Sequence, residues 1–508
     1  MSVATNAPDL ARREAAVLAA VPKASLIGAE WRAADGGPTL EVEDPSTGAA
    51  LCELPDARAA DALDALDAAA AAQLEWAATP ARVRGELLRR SFEAVIARQE
   101  ELALLITLEM GKPLGEARAE VAYGAEFLRW FSEEAARIGG RYADHPDGTG
   151  RILTRRHPVG PCILVTPWNF PLAMATRKIA PAIAAGCTMV VKPAKQTPLT
   201  TLLLARILKD AGLPPGVLNV LTTTGSGELV QALIADGRAR KLSFTGSTEV
   251  GRVLLRLCAE RVMRTSMELG GNAPLIVFDD ADLDRAVEGA LLAKLRNGGE
   301  SCTATNRIYV QSAIADAFVS AFVGRMQAVR VGRGTGDVEA GPMIDQAGRE
   351  KIQELVDDAS GRGAHLLAGG HPLEGPGYFY APTVLDDVPA DARMLSEEIF
   401  GPVAPIVRFD DEEEAIAAAN ATEYGLVAYA FTQDLDRALR VTDRLDTGMV
   451  GINQGMVSNA AAPFGGIKHS GLGREGGPEG LEEYLTTKYV AIASPPVPPA
   501  MDLPATRG

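Results

Sequence analysis

Between Ala57 and Gly139, leucine and alanine recur at helical spacing among arginine and glutamate, as in RGELLRRSFEAVIARQEELALLITLEM, which predicts a run of amphipathic helices. Before it, LIGAEWRAADGGPTLEVEDPSTGAALCELP breaks short apolar runs with Gly, Asp and Pro, the pattern of strands and turns. From Pro161 onward, buried runs such as PCILV, CTMVV, VLNV and KLSF alternate with helical stretches such as ATRKIAPAIAAG, PLTTLLLARILKDAG and STEVGRVLLRLCAE. That alternation predicts a parallel sheet flanked by helices, with ligands binding where the strands end. A second α/β stretch opens with NAPLIVFDDADLDRAVEGALLAKLRNGGESC and runs through AIAAANATEYGLVAYAFTQDLDRALRV. GGRYADHPDGTGRILTRRHPVG predicts a hairpin turning at Asp147-Gly148. The first 24 residues, Ala-rich and polar, are expected to form a loosely held extension, and the chain closes with a strand and a Pro-rich end.

Composition narrows the class. The 508 residues are 47% hydrophobic, ample for a large core, and the net charge of −16 makes nucleic acid and anionic membrane surfaces poor partners. Five widely spaced cysteines without a CxxC pair argue against a disulfide framework or structural zinc and for a reducing compartment. No secretory signal or apolar run of ~18 residues stands out, so a cytoplasmic protein without a metal is expected.

Several short segments could carry chemistry. In RNGGESCTATNR, two glycines precede Cys302, whose thiolate would be a nucleophile; an inert buried thiol is the competing reading. Asn169 in TPWNFP offers amide N–H groups to an oxyanion, or merely sits in a rigid turn. Glu268 in MELGGNAP is a candidate general base, although a lone acid is more often a cap or a surface group. Lys192 and Lys195 in VVKPAK could meet phosphate or ribose, or simply be solvated.

Taken in this order, TPWNFP, AAGCTMVVKPA, GLPPGVLNV, FTGSTEVG, MELGGNAP, the stretch from Asn297 to Cys302, EEIFGPV and PFGGIKHSGLGREGG resemble the aldehyde dehydrogenase superfamily, over roughly residues 25–490. The resemblance implies an α/β fold with a Rossmann-type cofactor domain (25–139 and 159–269), an α/β catalytic domain (270–483) and a small β oligomerisation arm with its tail (140–158 and 484–508). It implies that Cys302 adds to the aldehyde, that Asn169 and the cysteine's own N–H hold the oxyanion, and that a thioester remains after hydride leaves. Water activated by Glu268 then hydrolyses the thioester, with Lys178 and Glu475 relaying the proton. Cofactor contacts are implied for Thr166, Pro167, Trp168, Lys192, Ala194, Lys195, Gly246, Ser247, Leu269, Glu398 and Phe400. An acid often stands at the position of Lys195 in members that prefer NAD, so NADP is expected, with NAD as a second cofactor.

Within the superfamily the chain resembles the succinate-semialdehyde dehydrogenases, whose substrate carboxylate meets two arginines and a serine, here Arg177, Arg296 and Ser458. Arg177 pairing with an acid on a helix face is the competing reading. Glu300 departs from the family's usual Gln, and its carboxylate either raises the thiol pKa or turns away. Ala304 stands where redox-switched relatives carry a second cysteine. A homodimer or homotetramer is implied. Other readings are a glutarate-semialdehyde or general aliphatic aldehyde dehydrogenase, a CoA-acylating member, a silent binding protein on the same scaffold, and a cysteine hydrolase.

Overall fold

The computed structural model describes residues 7–493, and its two large sheets follow the two alternating stretches of the sequence. The first has eight strands in the order Glu30–Arg32, Ser25–Ile27, Leu218–Val220, Met189–Lys192, Cys162–Val165, Lys241–Thr245, Arg264–Glu268 and Gly471–Leu472. Its five central strands are parallel. Wholly buried runs such as CILV and MVVK suit such strands, because helices cover both faces. The order of strands reverses between Cys162–Val165 and Lys241–Thr245, and at such a switch point a crevice opens beyond the carboxyl ends. Val165 stands beside Lys192 and Phe244, and Thr245 beside Glu268. Four loops rich in candidate chemistry therefore leave from one edge.

The second sheet has seven strands, ordered His365–Ala368, Thr383–Asp386, Val403–Phe409, Thr305–Gln311, Ala273–Val277, Val427–Phe431 and Met449–Ile452. All are parallel except the first. The segment LGGN carries the chain from Glu268, at the end of a strand in the first sheet, to Ala273, at the start of one in the second. A Cβ at Gly271 would lie 2.5 Å from the carbonyl oxygen of Cys302, so glycine lets this crossing pass against the cysteine's loop.

Two differences from expectation, at the N-terminus and at Gly471–Leu472, have physical causes. Residues 1–24 are not a loose extension throughout: Ala7–Ala20 is a helix, and Val17 and Val21 are buried in the main core. Leu10, Val17, Leu18 and Val21 form an apolar stripe that the alanine-rich run disguises. Gly471–Leu472 lies in the stretch assigned to the second domain, yet pairs with Met267 and Glu268 and covers an edge of the first sheet. The strand Leu485–Ala493 pairs along all of Gly150–Pro158, itself in a hairpin with Arg141–Asp144, to make a three-stranded sheet that exposes Tyr142, Tyr489 and Ile492. The Pro-rich end lies outside the described residues. Among those described, no helix is long and apolar enough to cross a membrane, and no cluster of His, Cys, Asp and Glu could hold a metal ion.

Candidate active site

Helix Leu283–Leu295 is followed, after Arg296, by three consecutive left-handed residues, Asn297 (φ 57°), Gly298 (φ 63°) and Gly299 (φ 80°). Glycine takes this conformation freely and asparagine tolerates it. At Gly299 a Cβ would also lie 2.2 Å from the carbonyl oxygen of Gly401. Asn297 ties the turn down. Its backbone N–H donates to Glu116 Oε2 (2.8 Å), and its Nδ2 donates to the carbonyls of Asn169 (3.1 Å) and Glu300 (2.9 Å). The turn delivers Cys302 to the wall of a cavity of about 310 Å³, where it keeps partial solvent access. Cys162, Cys187 and Cys258, by contrast, are buried.

Asn169 lines the same cavity. Its Nδ2 donates to the Glu300 carbonyl (3.0 Å), which leaves its second N–H for the cavity. Burial pushes the Cys302 thiol up to about 12, with Arg177 and Arg296 opposing the shift and Glu398 and Glu268 adding to it. The resting group is therefore a thiol that needs a base. Glu268 is buried, and its Oε2 has no partner among the described residues. Its carboxyl pKa is held well above the ordinary range, first by burial and then by the charge of Glu475, while Lys178, Arg177 and Arg474 oppose the shift. Lys178 Nζ donates to Glu475 and to Ser243 Oγ (3.0 Å). Glu300 turns towards the Ile344 N–H, which its Oε1 accepts at 3.0 Å. Of its two expected behaviours, the structure shows the second.

Arg177, Arg296 and Ser458 all line the cavity that holds Cys302. Arg296 Nη1 donates to Ser458 Oγ (3.4 Å), with its guanidinium over the Phe170 ring at 4.9 Å. Arg177, on helix Ala173–Ala185, is 2% exposed and stands over Phe464 at 4.1 Å. It also lies 3.6 Å from Glu475, so the pairing with an acid is present even though the residue lines the cavity. Tyr123, which sequence reasoning missed, also lines this cavity. Its hydroxyl accepts from Arg177 Nη2, and its ring lies 6.0 Å from the Arg296 guanidinium. In AEVAYGAEF it reads as one aromatic among helix formers, without any signal of its own.

The remaining candidates spread along the carboxyl edge of the first sheet, except Glu398 and Phe400, which come from the loop before Val403–Phe409 of the second. Pro167, Trp168, Gly246, Ser247, Leu269, Glu398 and Phe400 line the cavity, whereas Thr166, Lys192, Ala194 and Lys195 lie beyond its lining. Whether this edge suits a dinucleotide turns on its polar groups. Thr166 Oγ1 and Thr245 Oγ1 are buried without a partner among the described residues. Lys192 Nζ donates to Ser226 Oγ (3.0 Å), and burial, helped by nearby Lys195, lowers its pKa to about 8. Ser247 caps the helix Thr248–Ala259, whose N-terminal amides favour anions. At Gly246 a Cβ would strike the Phe244 ring at 2.5 Å. Glu398 Oε1 accepts from the Gly271 N–H (3.1 Å), and burial raises its pKa to about 7. Phe400, at φ 58°, meets Trp168 edge to face at 5.4 Å. Ribose hydroxyls and phosphate match this set of groups.

Among the described residues no histidine lines the cavity; His469 instead meets Glu423 and Arg252. The thiol's neighbours are carboxylates and guanidinium groups, which removes the basis for a cysteine hydrolase of the Cys–His kind. Fold and site together define an enzyme of covalent, nucleophilic catalysis beside a dinucleotide-type crevice. The chain belongs to the aldehyde dehydrogenase family, whose model matches residues 31–490. It is 58% identical to a succinate-semialdehyde dehydrogenase of Paenarthrobacter nicotinovorans, over 88% of this chain and 99% of the relative. It is 48% identical to a glutarate-semialdehyde dehydrogenase of Pseudomonas putida, over 92% of this chain and 97% of that relative. Among solved structures, an NADP-dependent enzyme of Escherichia coli superposes with a TM-score of 0.92 at 47% identity, covering 94% of this chain and 99% of the other.

Proposed function

We propose that this protein oxidises a short ω-carboxy aldehyde, succinate semialdehyde foremost, to the dicarboxylic acid, with NADP as the preferred acceptor. The observation that carries the reading is the presence of Arg177, Arg296 and Ser458 in the cavity of Cys302. Desolvating a carboxylate there is costly unless charged donors meet it. In the mechanism, solvent in the open cavity takes the Cys302 thiol proton, Sγ attacks the carbonyl carbon, and the second Asn169 N–H meets the oxygen as it gains charge. When bound, the nicotinamide supplies the hydride acceptor. Glu268 then takes a proton from the water that cleaves the thioester on Cys302, with the Lys178–Glu475 pair behind it to pass the proton on. Lys192 and Lys195 favour a ribose 2′-phosphate, consistent with the NADP dependence of the Escherichia coli neighbour.

One kinetic panel tests both choices. A hydrogen bond to a charged group is worth about 1.5–3 kcal/mol, so Arg296→Gln should lower kcat/KM for succinate semialdehyde by about 10- to 150-fold. Butanal oxidation should be largely spared, and glutarate semialdehyde shows how far the pocket tolerates one more methylene. Equal losses on both aldehydes mean that Arg296 only shapes the nucleophile's loop, and a wild type preferring butanal removes the carboxylate pocket. With NADP against NAD in the same panel, Lys195→Glu should erode the preference for NADP; an unchanged ratio removes that part.

We also place this protein in the cytoplasm and in a dimer or tetramer. The sheet of Arg141–Asp144, Gly150–Pro158 and Leu485–Ala493 supports the assembly, because a strand edge and exposed aromatics suit pairing with a neighbour. Sedimentation of the active protein as a stable monomer alone would remove the assembly.

A further inference from the structure

A second charged cluster lies behind the cavity, outside the residues given roles above. Lys112 follows helix Gln99–Met110 and Glu120 lies on helix Leu114–Glu134; both side chains are 1% exposed. Lys112 Nζ donates to Glu120 Oε2 at 2.5 Å and to the backbone carbonyl of Asn169 at 2.8 Å, and stands 4.1 Å from the centre of the Phe170 ring. The other Glu120 oxygen accepts from the N–H groups of Leu172 (2.9 Å) and Ala173 (3.3 Å). One ion pair thus grips the turn after Cys162–Val165 at both ends, the carbonyl of Asn169 and the amides that open helix Ala173–Ala185. The Asn169 carbonyl is held from the other side by Asn297 Nδ2 at 3.1 Å.

A buried pair is a poor device for stability alone, since apolar residues of similar volume often serve as well. Among the described residues, the only backbone carbonyl that Lys112 takes is that of Asn169, which lines the same cavity as Cys302. We propose that Lys112, held by Glu120, is a positioning residue that fixes the main chain of Asn169 and so aims its carboxamide at the oxyanion. It touches neither substrate nor cofactor and acts through Asn169. The inference rests on the reading of Asn169 as an oxyanion donor.

A double-mutant cycle on the full-length protein tests it, with kcat and KM followed by reduced-dinucleotide absorbance on succinate semialdehyde. Lys112→Met should lower kcat by about 10- to 100-fold, the scale of a misplaced catalytic group, with the KM for cofactor unchanged. In an Asn169→Ala background the same substitution should change kcat by no more than about twofold, because the group it aims is gone. Equal losses in both backgrounds overturn the proposal. Should Lys112→Met leave Glu120 uncompensated and the chain unfolded, the neutral pair Lys112→Gln with Glu120→Gln carries the same cycle. If Asn169→Ala alone leaves kcat unchanged, the oxyanion reading itself has failed, and the inference with it. A slow Asn169→Ala enzyme with an additive cycle overturns only the role of Lys112.

Discussion

Cys302→Ala lowers aldehyde oxidation by on the order of 10⁴-fold or more, the scale of deleting a nucleophile, and leaves dinucleotide binding intact. The expectation follows from placement. Cys302 is partly exposed in the cavity, whereas Cys162, Cys187 and Cys258 are buried and the partly exposed Cys52 lies outside the cavity lining, so no other thiol replaces it. Nor does the variant disturb its loop, because the loop is fixed by Asn297 and the two left-handed glycines rather than by the sulfur. Fluorescence titration with NADPH separates binding from chemistry. Near-normal turnover, or lost cofactor binding, would show the assignment to be wrong. Cys302→Ser is the stricter version, since it keeps a hydroxyl of nearly the same shape.

Glu268→Gln should cost about 10²- to 10⁴-fold in steady-state turnover, the usual worth of a general base. Unlike the cysteine variant, it should still release up to one equivalent of reduced dinucleotide per site and then stall as an acyl-enzyme, visible as added mass on the intact protein. In the wild type, the raised pKa of Glu268 should set the acid limb of the pH profile. Its carboxylate must be ionised to accept a proton. Hydrolysis is therefore lost as pH falls through a value above the ordinary carboxylate range, and recovers as pH rises through it. Multiple turnovers at the wild-type rate, or an acid limb unmoved in the variant, would refute the role.

Much of this was legible in the residues. Period and burial gave the alternating strands and helices, because an apolar run such as CILV has nowhere to go but a covered sheet. The site's chemistry was legible where a residue type is unusual for its position, as with a cysteine after two glycines or an asparagine between prolines. What escaped was whatever depends on distant partners. Tyr123 looks like any aromatic on a helix until Arg177 meets it, 54 positions away. Lys112 and Glu120 sit among ordinary helical charges, and only the fold buries them and brings the Asn169 carbonyl to the lysine. The direction in which Glu300 turns was open for the same reason, since the Ile344 N–H that donates to it lies 44 residues downstream. Local rules also misread the N-terminal helix, whose alanines diluted its apolar stripe.

The return of Gly471–Leu472 to the first sheet also sets a timetable for the growing chain. Every strand of that sheet except this one has been made once Glu268 is synthesised. Yet the Leu269 N–H waits for the Ser470 carbonyl, and Lys178 waits for Glu475, 297 positions later. Contacts so far apart close slowly, and they close last when the chain emerges from its N-terminus. During synthesis Glu268 and Lys178, the proposed base and part of its proposed relay, therefore stay without this support until Ser470 and Glu475 have been made. On the proposed mechanism the site is complete only once the segment of Ser470 and Glu475 docks on the first sheet.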